Sequence, residues 1–313
     1  MQQFRVRNVF GPVPSRRLGR SLGVDLVPSK ACSYDCIYCQ LGHTTNKTIE
    51  RREYVPMSDV LMELEERLAA GTHADYITLS GSGEPTLHSD IGDIIRTIKT
   101  ITDIPVVVLT NGSLLWDPDV RRELSAADLV IPSLDAGDEE AFARVNRPHG
   151  SIAFEPMIEG LVSFGQEYAG EIWLEVLLLD GITTTKQEAT KIARQVEKIR
   201  ADRVQIGTVS RPPANVAACA TSPAVLTELA VLFGKTAEVI HGFSGTLEEH
   251  SFLAGKAGIL DLVQGRPHTL DEISGVLAIN RNETLKILEG MLNEGLLNSR
   301  IRRGARYFES VAL

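Results

Sequence analysis

No stretch of this 313-residue chain approaches the about 18 uninterrupted apolar residues that a membrane-spanning helix needs. A membrane protein is therefore not expected. The most apolar segment, Ile172 to Leu179, is strand-sized and contains Glu175. The opening residues, MQQFRVRNVFGPVPSRR, are too polar and basic for a signal peptide, and a cytoplasmic protein is expected. Basic residues are outnumbered, 32 against 41 acidic, giving a net charge of −9. That argues against coating nucleic acid by bulk electrostatics, although a local basic patch stays open. Cysteines number four, too few for a disulfide scaffold. Repeats and low-complexity tracts are lacking. Apolar residues at 43% and charged residues at 23% exclude collagen-like, coiled-coil and disordered classes.

What is present is a regular alternation. LGVDLV (22–27), ADYITLSG (74–81), IPVVVLT (104–110), ADLVIPSLD (127–135), EIWLEVLLLD (171–180) and RVQIGTV (203–209) read as strands. Helical patterns follow at 58–70, with Ser58 as cap, and at 90–101, capped by Asp90. Further helices are expected at 118–125, 152–164, 185–200 and 223–240. Such βα alternation requires a parallel sheet with crossover helices. Strand number and length suit either an open doubly wound sheet or an incomplete barrel.

After about residue 245 the texture changes. A helix is expected over 250–264. Thr269 and Glu272 have capping-box spacing before an apolar face, and 280–295 places Leu285, Leu288 and Leu292 on one face, with Gly295 as stop. Residues 296–310 alternate around Arg303-Gly304 and read as a hairpin. Helices followed by a hairpin predict a C-terminal winged helix-turn-helix, residues 245–313, after a first domain of residues 1–244.

Three cysteines lie within eight residues, as Cys32-x3-Cys36-x2-Cys39, directly after the first predicted strand. Three thiolates at this spacing can hold three irons of a [4Fe–4S] cluster and leave one iron open for a small molecule. Cys39 and His43 would instead complete a Cys3His zinc set, the competing reading. Cys219 is alone, so a second all-cysteine cluster is not expected, and a small buried core position is the expectation for it.

The cysteine triplet after the first strand of a βα series resembles the radical S-adenosylmethionine (SAM) superfamily. The stretch FGPVPSRRLGRSLGVDLVPSKACSYDCIYCQLG resembles, within it, prokaryotic iron–sulfur oxidoreductases distantly similar to wyosine-forming tRNA enzymes. The likeness is strong over 10–56 and diffuse to about 215. It implies a partial (β/α)6 barrel and two cofactors, a [4Fe–4S] cluster on Cys32, Cys36 and Cys39, and SAM. It also implies an electron donor such as flavodoxin or ferredoxin, and a reduced cluster that cleaves SAM to a hydrogen-abstracting 5′-deoxyadenosyl radical.

By the same resemblance Tyr38 touches the adenine. The turn Gly81-Ser82-Gly83-Glu84 is similar to the superfamily's GGE motif, whose backbone and carboxylate receive the SAM ammonium; an ordinary strand-to-helix turn is the plainer reading. Asn111, Ser133 and Asp135, at strand ends, would meet the ribose and carboxylate of SAM. Arg147 would pair with that carboxylate or stay solvated. Glu175, a carboxylate inside an apolar strand, either faces the lumen to contact the ribose or pairs with a buried cation. Val204–Gly207 matches a pattern whose backbone touches adenine.

Substrate is less legible. Arginines cluster at 16, 17 and 20, at 51 and 52, and at 300, 302, 303 and 306, and arginine suits phosphate. RNA, most simply tRNA, gripped by the winged domain is one reading. A radical SAM enzyme acting on a peptide or metabolite is a second. A redox-sensing regulator with an iron–sulfur cluster beside a winged helix is a third, and it leaves the 81–85 turn and the βα series without a purpose.

Overall fold

A computed structural model describes residues 8–15, 17–210, 213–240, 256–277, 281–302 and 305–311. The chain opens with an antiparallel pair, β1 (Val9–Ser15) and β2 (Gly19–Val24). Two-residue strands β3 (Ala31–Cys32) and β4 (Asn46–Lys47) pair in parallel and close the cysteine loop. There follow α1 (Met57–Ala69), β5 (Tyr76–Leu79), α2 (Ile91–Ile101), β6 (Val106–Thr110), α3 (Pro118–Leu124) and β7 (Leu129–Pro132). Then come α4 (Glu139–Val145), α5 (Phe154–Glu167), β8 (Glu171–Leu178), α6 (Lys186–Val196), β9 (Arg203–Thr208), α7 (Pro223–Ala230) and β10 (Ala237–Val239).

These strands form one eight-stranded sheet ordered β1-β2-β5-β6-β7-β8-β9-β10, parallel from β2 onward. Spatial order follows chain order without reversal. A doubly wound sheet reverses at a switch point, so the sheet is singly wound. It is also open, with no pairing of β10 back onto β1 among the described residues. Winding in one direction puts the helices on one face. Val106 and Val108 of β6 and Ile172, Leu174 and Val176 of β8 join the helices in the main core. The alternate residues Val107, Leu129, Ile131 and Trp173 form a separate cluster on the other face, completed by Leu18 from the β1–β2 turn.

The sequence reading missed β1, which is masked by Pro12 and Pro14, and it missed α4. It also extended the helix at 223 to 240. That helix stops at Ala230, and β10 follows Gly234, whose φ of +86° favours glycine. Helix α1 starts after Pro56 rather than on a Ser58 cap, and Asp90 makes no side-chain cap.

The C-terminal unit comprises α8 (Lys256–Gln264), β11 (His268–Thr269), α9 (Leu270–Leu277), α10 (Arg281–Asn293), β12 (Leu297–Arg302) and β13 (Ala305–Ser310). The expected capping box forms: Glu272 accepts from the Thr269 N–H at 2.8 Å, and the Glu272 N–H donates to Thr269 Oγ1 at 3.3 Å. Strand β11 adds to the hairpin, giving the order β11-β13-β12. Ile259, Ile273, Leu288, Met291 and Phe308 make its core, against which Phe10 of β1 also packs. Arg67 of α1 and Asp261 of α8, both largely buried, pair at 2.6 Å. The boundary expected near 245 and the start of the helix expected from 250 lie outside the described residues, as do Arg16 and Arg303 and the Leu285 side chain.

Candidate active site

The C-terminal ends of the parallel strands converge on the cysteine loop. Backbone contacts on two sides hold that loop in place. The Lys30 N–H donates to Ser82 O at 2.7 Å, and the Glu84 N–H donates to Ala31 O at 3.1 Å. A Cβ on Gly83 would lie 1.8 Å from Ala31 O, so only glycine lets the turn approach this closely. On the other side Asp35 and Ile37 donate backbone N–H groups to the carbonyls of Asn146 and Val145 at 3.1 and 3.0 Å. The 81–84 turn is therefore a docking surface for the cysteine loop as well as a strand-to-helix connection.

Cys32, Cys36 and Cys39 are each half-buried. Burial first, and then the charges of neighbouring groups, push the Cys32 thiol up to about 12, and Cys36 well above the ordinary thiol range. The charges opposing ionisation include the other cysteines of the loop, so the three sulfurs sense one another. Each sulfur also faces a side-chain N–H donor: Lys30 Nζ lies 3.2 Å from Cys39, Asn111 Nδ2 3.6 Å from Cys32, and Asn146 Nδ2 3.7 Å from Cys36. Thiols in such surroundings ionise when a cation joins them, and donors aimed at sulfur suit cysteinate. Two buried polar atoms close by, Tyr34 Oη and Asn146 Oδ1, lack partners. The residues present fit an iron–sulfur group.

His43 turns to Asp35 instead, with Nδ1 3.3 Å from its carboxylate, and more than half of the side chain is exposed. Among the described residues no three His, Cys, Asp or Glu side chains gather as a single-ion site. Thiolates on three different irons do not need to meet at one point.

Glu84 is held by donors of the chain itself. Its side chain is buried, and Oε1 accepts from Thr86 N at 3.1 Å, Thr86 Oγ1 at 2.6 Å and Thr110 Oγ1 at 2.6 Å, while Oε2 accepts from Asn111 N at 2.7 Å. All four contacts are internal. The carboxylate ties the ends of β5 and β6 together. Burial raises its pKa, against the lowering effect of those donors.

Asn111 is bound into the cysteine loop through Ser33 Oγ at 2.9 Å. Asp135 is buried and accepts from Tyr38 Oη, from Asn146 Nδ2 at 3.1 Å and from Leu177 N at 2.9 Å. Burial raises its pKa to about 6 despite these donors. Tyr38 and Asp135, predicted separately, thus form one unit. Ser133 pairs with Glu175 as an isolated parallel bridge. Glu175 is half-buried on the same face as Trp173, away from the helices, and pairs with a cation, Arg17, at 2.7 Å. Gln205, opposite Glu175 in register, donates to Glu238 at 2.8 Å.

Arg147 has φ of +49° and lies 3.8 Å from Asp35. The expectation of a core cysteine at 219 fails: Cys219 is exposed on the loop after β9. Asp25, Lys30, Ser33 and Asn146 are site residues that sequence reasoning missed. Asp25 accepts from Ser82 N at 2.9 Å and fills the space where a Gly81 Cβ would stand.

The open parallel sheet, with a cysteine triplet bound to its strand ends, defines a class of enzyme that works at a metal cluster. Residues 26–191 match the model of the radical SAM superfamily, and the chain belongs to that superfamily. It is a radical SAM enzyme whose cofactors are a [4Fe–4S] cluster and SAM. It is 34% identical over 297 residues to a UPF0026 protein of Methanocaldococcus jannaschii, covering 92% of this chain and 91% of that one. It is 37% identical over 305 residues to a protein of Brachyspira hyodysenteriae named GTPase Obg. That match spans 96% of this chain but 45% of the other protein, to which the GTPase name belongs. A solved radical SAM methyltransferase from Sphaerobacter thermophilus is similar in fold, with TM-score 0.52 and 18% identity over 70% of this chain and 65% of that chain. No helix among the described residues is long and apolar enough to cross a membrane.

Proposed function

We propose that Cys32, Cys36 and Cys39 ligate the cluster and that SAM lies across the strand ends between the 81–84 turn, Asn111 and the Tyr38–Asp135 pair. When bound, these cofactors supply an electron to the SAM sulfonium and a 5′-deoxyadenosyl radical that removes a hydrogen atom from substrate. The observation that carries the reading is the continuous hydrogen-bonded connection from sulfur to strand end, Cys36–Asn146–Asp135–Tyr38 on one side and Cys32–Asn111–Glu84 on the other. Asn146, Asn111 and Glu84 position groups. The backbone of Gly81, Ser82 and Gly83 receives the ammonium, and Ser133 and Glu175 lie where the ribose passes. Cys32→Ala should abolish the broad visible absorbance of cysteinate-ligated iron after anaerobic reconstitution, while Cys219→Ala keeps it. Four irons per chain in Cys32→Ala would overturn the ligand assignment.

For substrate we propose RNA, most simply tRNA, held by a C-terminal domain of the winged-helix kind beginning near residue 245. The helices α8–α10, the three-stranded sheet and Arg302 on the hairpin support this. A flavodoxin- or ferredoxin-like protein supplies the electron. A peptide or small-metabolite substrate is the second reading, favoured by a specific observation: among the described residues, three of the arginines meant for phosphate, Arg51, Arg300 and Arg306, are engaged internally. Arg300 pairs with Glu309 at 2.6 Å, Arg306 bonds Ser299 and lies over Phe308, and Arg51 holds Glu123 and two backbone carbonyls. Binding of the full chain to bulk tRNA, measured against salt, separates the readings. Steep weakening with salt that flattens in Arg302→Glu supports RNA, and no binding by the intact chain moves the assignment to the second reading.

A further inference from the structure

Lys30 is buried, with 7% of its surface exposed. It is also one of two non-glycine residues with positive φ among the described residues, at +63°. A left-handed φ is unfavourable for a side chain with a Cβ, and it persists only where the surroundings hold it. They do so here: the Lys30 N–H is held by Ser82 O at 2.7 Å, and its carbonyl accepts from Asn46 N at 3.1 Å. The ammonium donates to Cys39 Sγ at 3.2 Å. A buried ammonium needs an anion, because desolvation is otherwise uncompensated.

We propose that Lys30 is the counter-charge of the cluster and raises its reduction potential. The inference rests on the ligand assignment above. Three thiolates on an oxidised [4Fe–4S] core leave one net negative charge, and the electron taken from an external one-electron donor adds a second. A fixed cation hydrogen-bonded to a ligating sulfur therefore stabilises the reduced form more than the oxidised one. Net charge and hydrogen bonds to sulfur are the levers that set such potentials. Burial strengthens the effect, since little water screens the charge. Asn111 and Asn146 donate to the other two sulfurs without a charge, and each divides its amide hydrogens with oxygen acceptors. Lys30 is thus the charged donor among the three side-chain N–H groups at the sulfurs, and a positioning residue for Cys39.

The test is a redox titration, followed by electron paramagnetic resonance, of the full-length chain reconstituted anaerobically without SAM. Lys30→Met should lower the equilibrium constant for reduction about tenfold, equal to about 59 mV for one electron. Lys30→Gln, which keeps an N–H but no charge, should fall nearly as far, and Lys30→Arg should recover most of the loss. A common potential in wild type, Lys30→Met and Lys30→Arg, with the cluster present in all, overturns the role of Lys30 alone. Should only wild type and Lys30→Arg assemble a cluster, by iron content, the counter-charge role is upheld. A wild-type chain without cysteinate absorbance sinks the ligand assignment and this inference with it.

Discussion

Asp25 accepts the Ser82 backbone N–H at 2.9 Å while its carboxylate occupies the volume above Gly81, where φ is +146°. A half-buried acid just after β2 thereby shapes the turn at the end of β5, against which the cysteine loop docks. Burial raises the Asp25 pKa to about 6 from the ordinary carboxyl value of 3.8, and its hydrogen bonds from Ser82 and Val27 only partly offset this.

A pH prediction follows from the sign of that shift. A carboxyl whose folded pKa exceeds its unfolded value binds its proton more tightly in the folded state. Its contribution to stability is fully present below the unfolded value of 3.8 and is lost as pH rises through about 6. Between pH 5 and 7.5 the loss should be about 1.4 kcal/mol. Urea unfolding at those two pH values should show a smaller difference in Asp25→Asn than in wild type. An unchanged difference would show that Asp25 does not titrate in this range.

Gly83→Ala should expel the cysteine loop from its seat, because the new methyl would meet a backbone carbonyl oxygen at 1.8 Å. Iron content after reconstitution should fall severely. Gly150→Ala is the control, since nothing lies within 4 Å of its Cβ position. Equal iron in both variants would mean that the turn yields.

Asp135→Ala would leave three donors, Tyr38 Oη, Asn146 Nδ2 and Leu177 N, without their acceptor. Leaving a buried donor unmade costs about 1–3 kcal/mol, so Asp135→Ala should lower stability by roughly 3 kcal/mol or more and weaken SAM binding. Asp135→Asn should cost less, because its carbonyl still accepts. Thermal unfolding and equilibrium dialysis with SAM measure both.

Breaking the Arg67–Asp261 pair should loosen α8 from α1. Its side chains are 7% and 16% exposed, and removing one partner of a buried pair costs about 3–5 kcal/mol. Asp261→Ala should speed amide exchange in α8 and along β1. The double change Arg67→Met with Asp261→Leu should recover much of the loss, since neither member of this pair is left without the other.

The order of elements was legible from periodicity, because a strand buried on both faces reads as an apolar run and a helix as a 3.6-residue stripe. The capping box at Thr269 was legible for the same local reason. The triplet Cys32, Cys36, Cys39 needed only its spacing. Strand β1 was not legible: Pro12 and Pro14 argue against a strand, and the chain tolerates them on the sheet edge, where an N–H is not required. Nor was the sheet's winding, which depends on which strands become neighbours.

The sequence by itself determined that a metal-binding loop precedes a series of strand ends carrying Glu84, Asn111, Ser133, Asp135 and Glu175, because these residues follow apolar runs in a regular beat. Only the tertiary structure decided what each of them faces. Glu84 meets four donors drawn from the ends of two strands. Glu175 found its cation 158 positions away in Arg17, and Asn146 reached Cys36 across 110 residues. Periodicity places a side chain on a face. Its partner is chosen by hydrogen bonds and charges brought together through chain crossovers, and no local pattern encodes that distance.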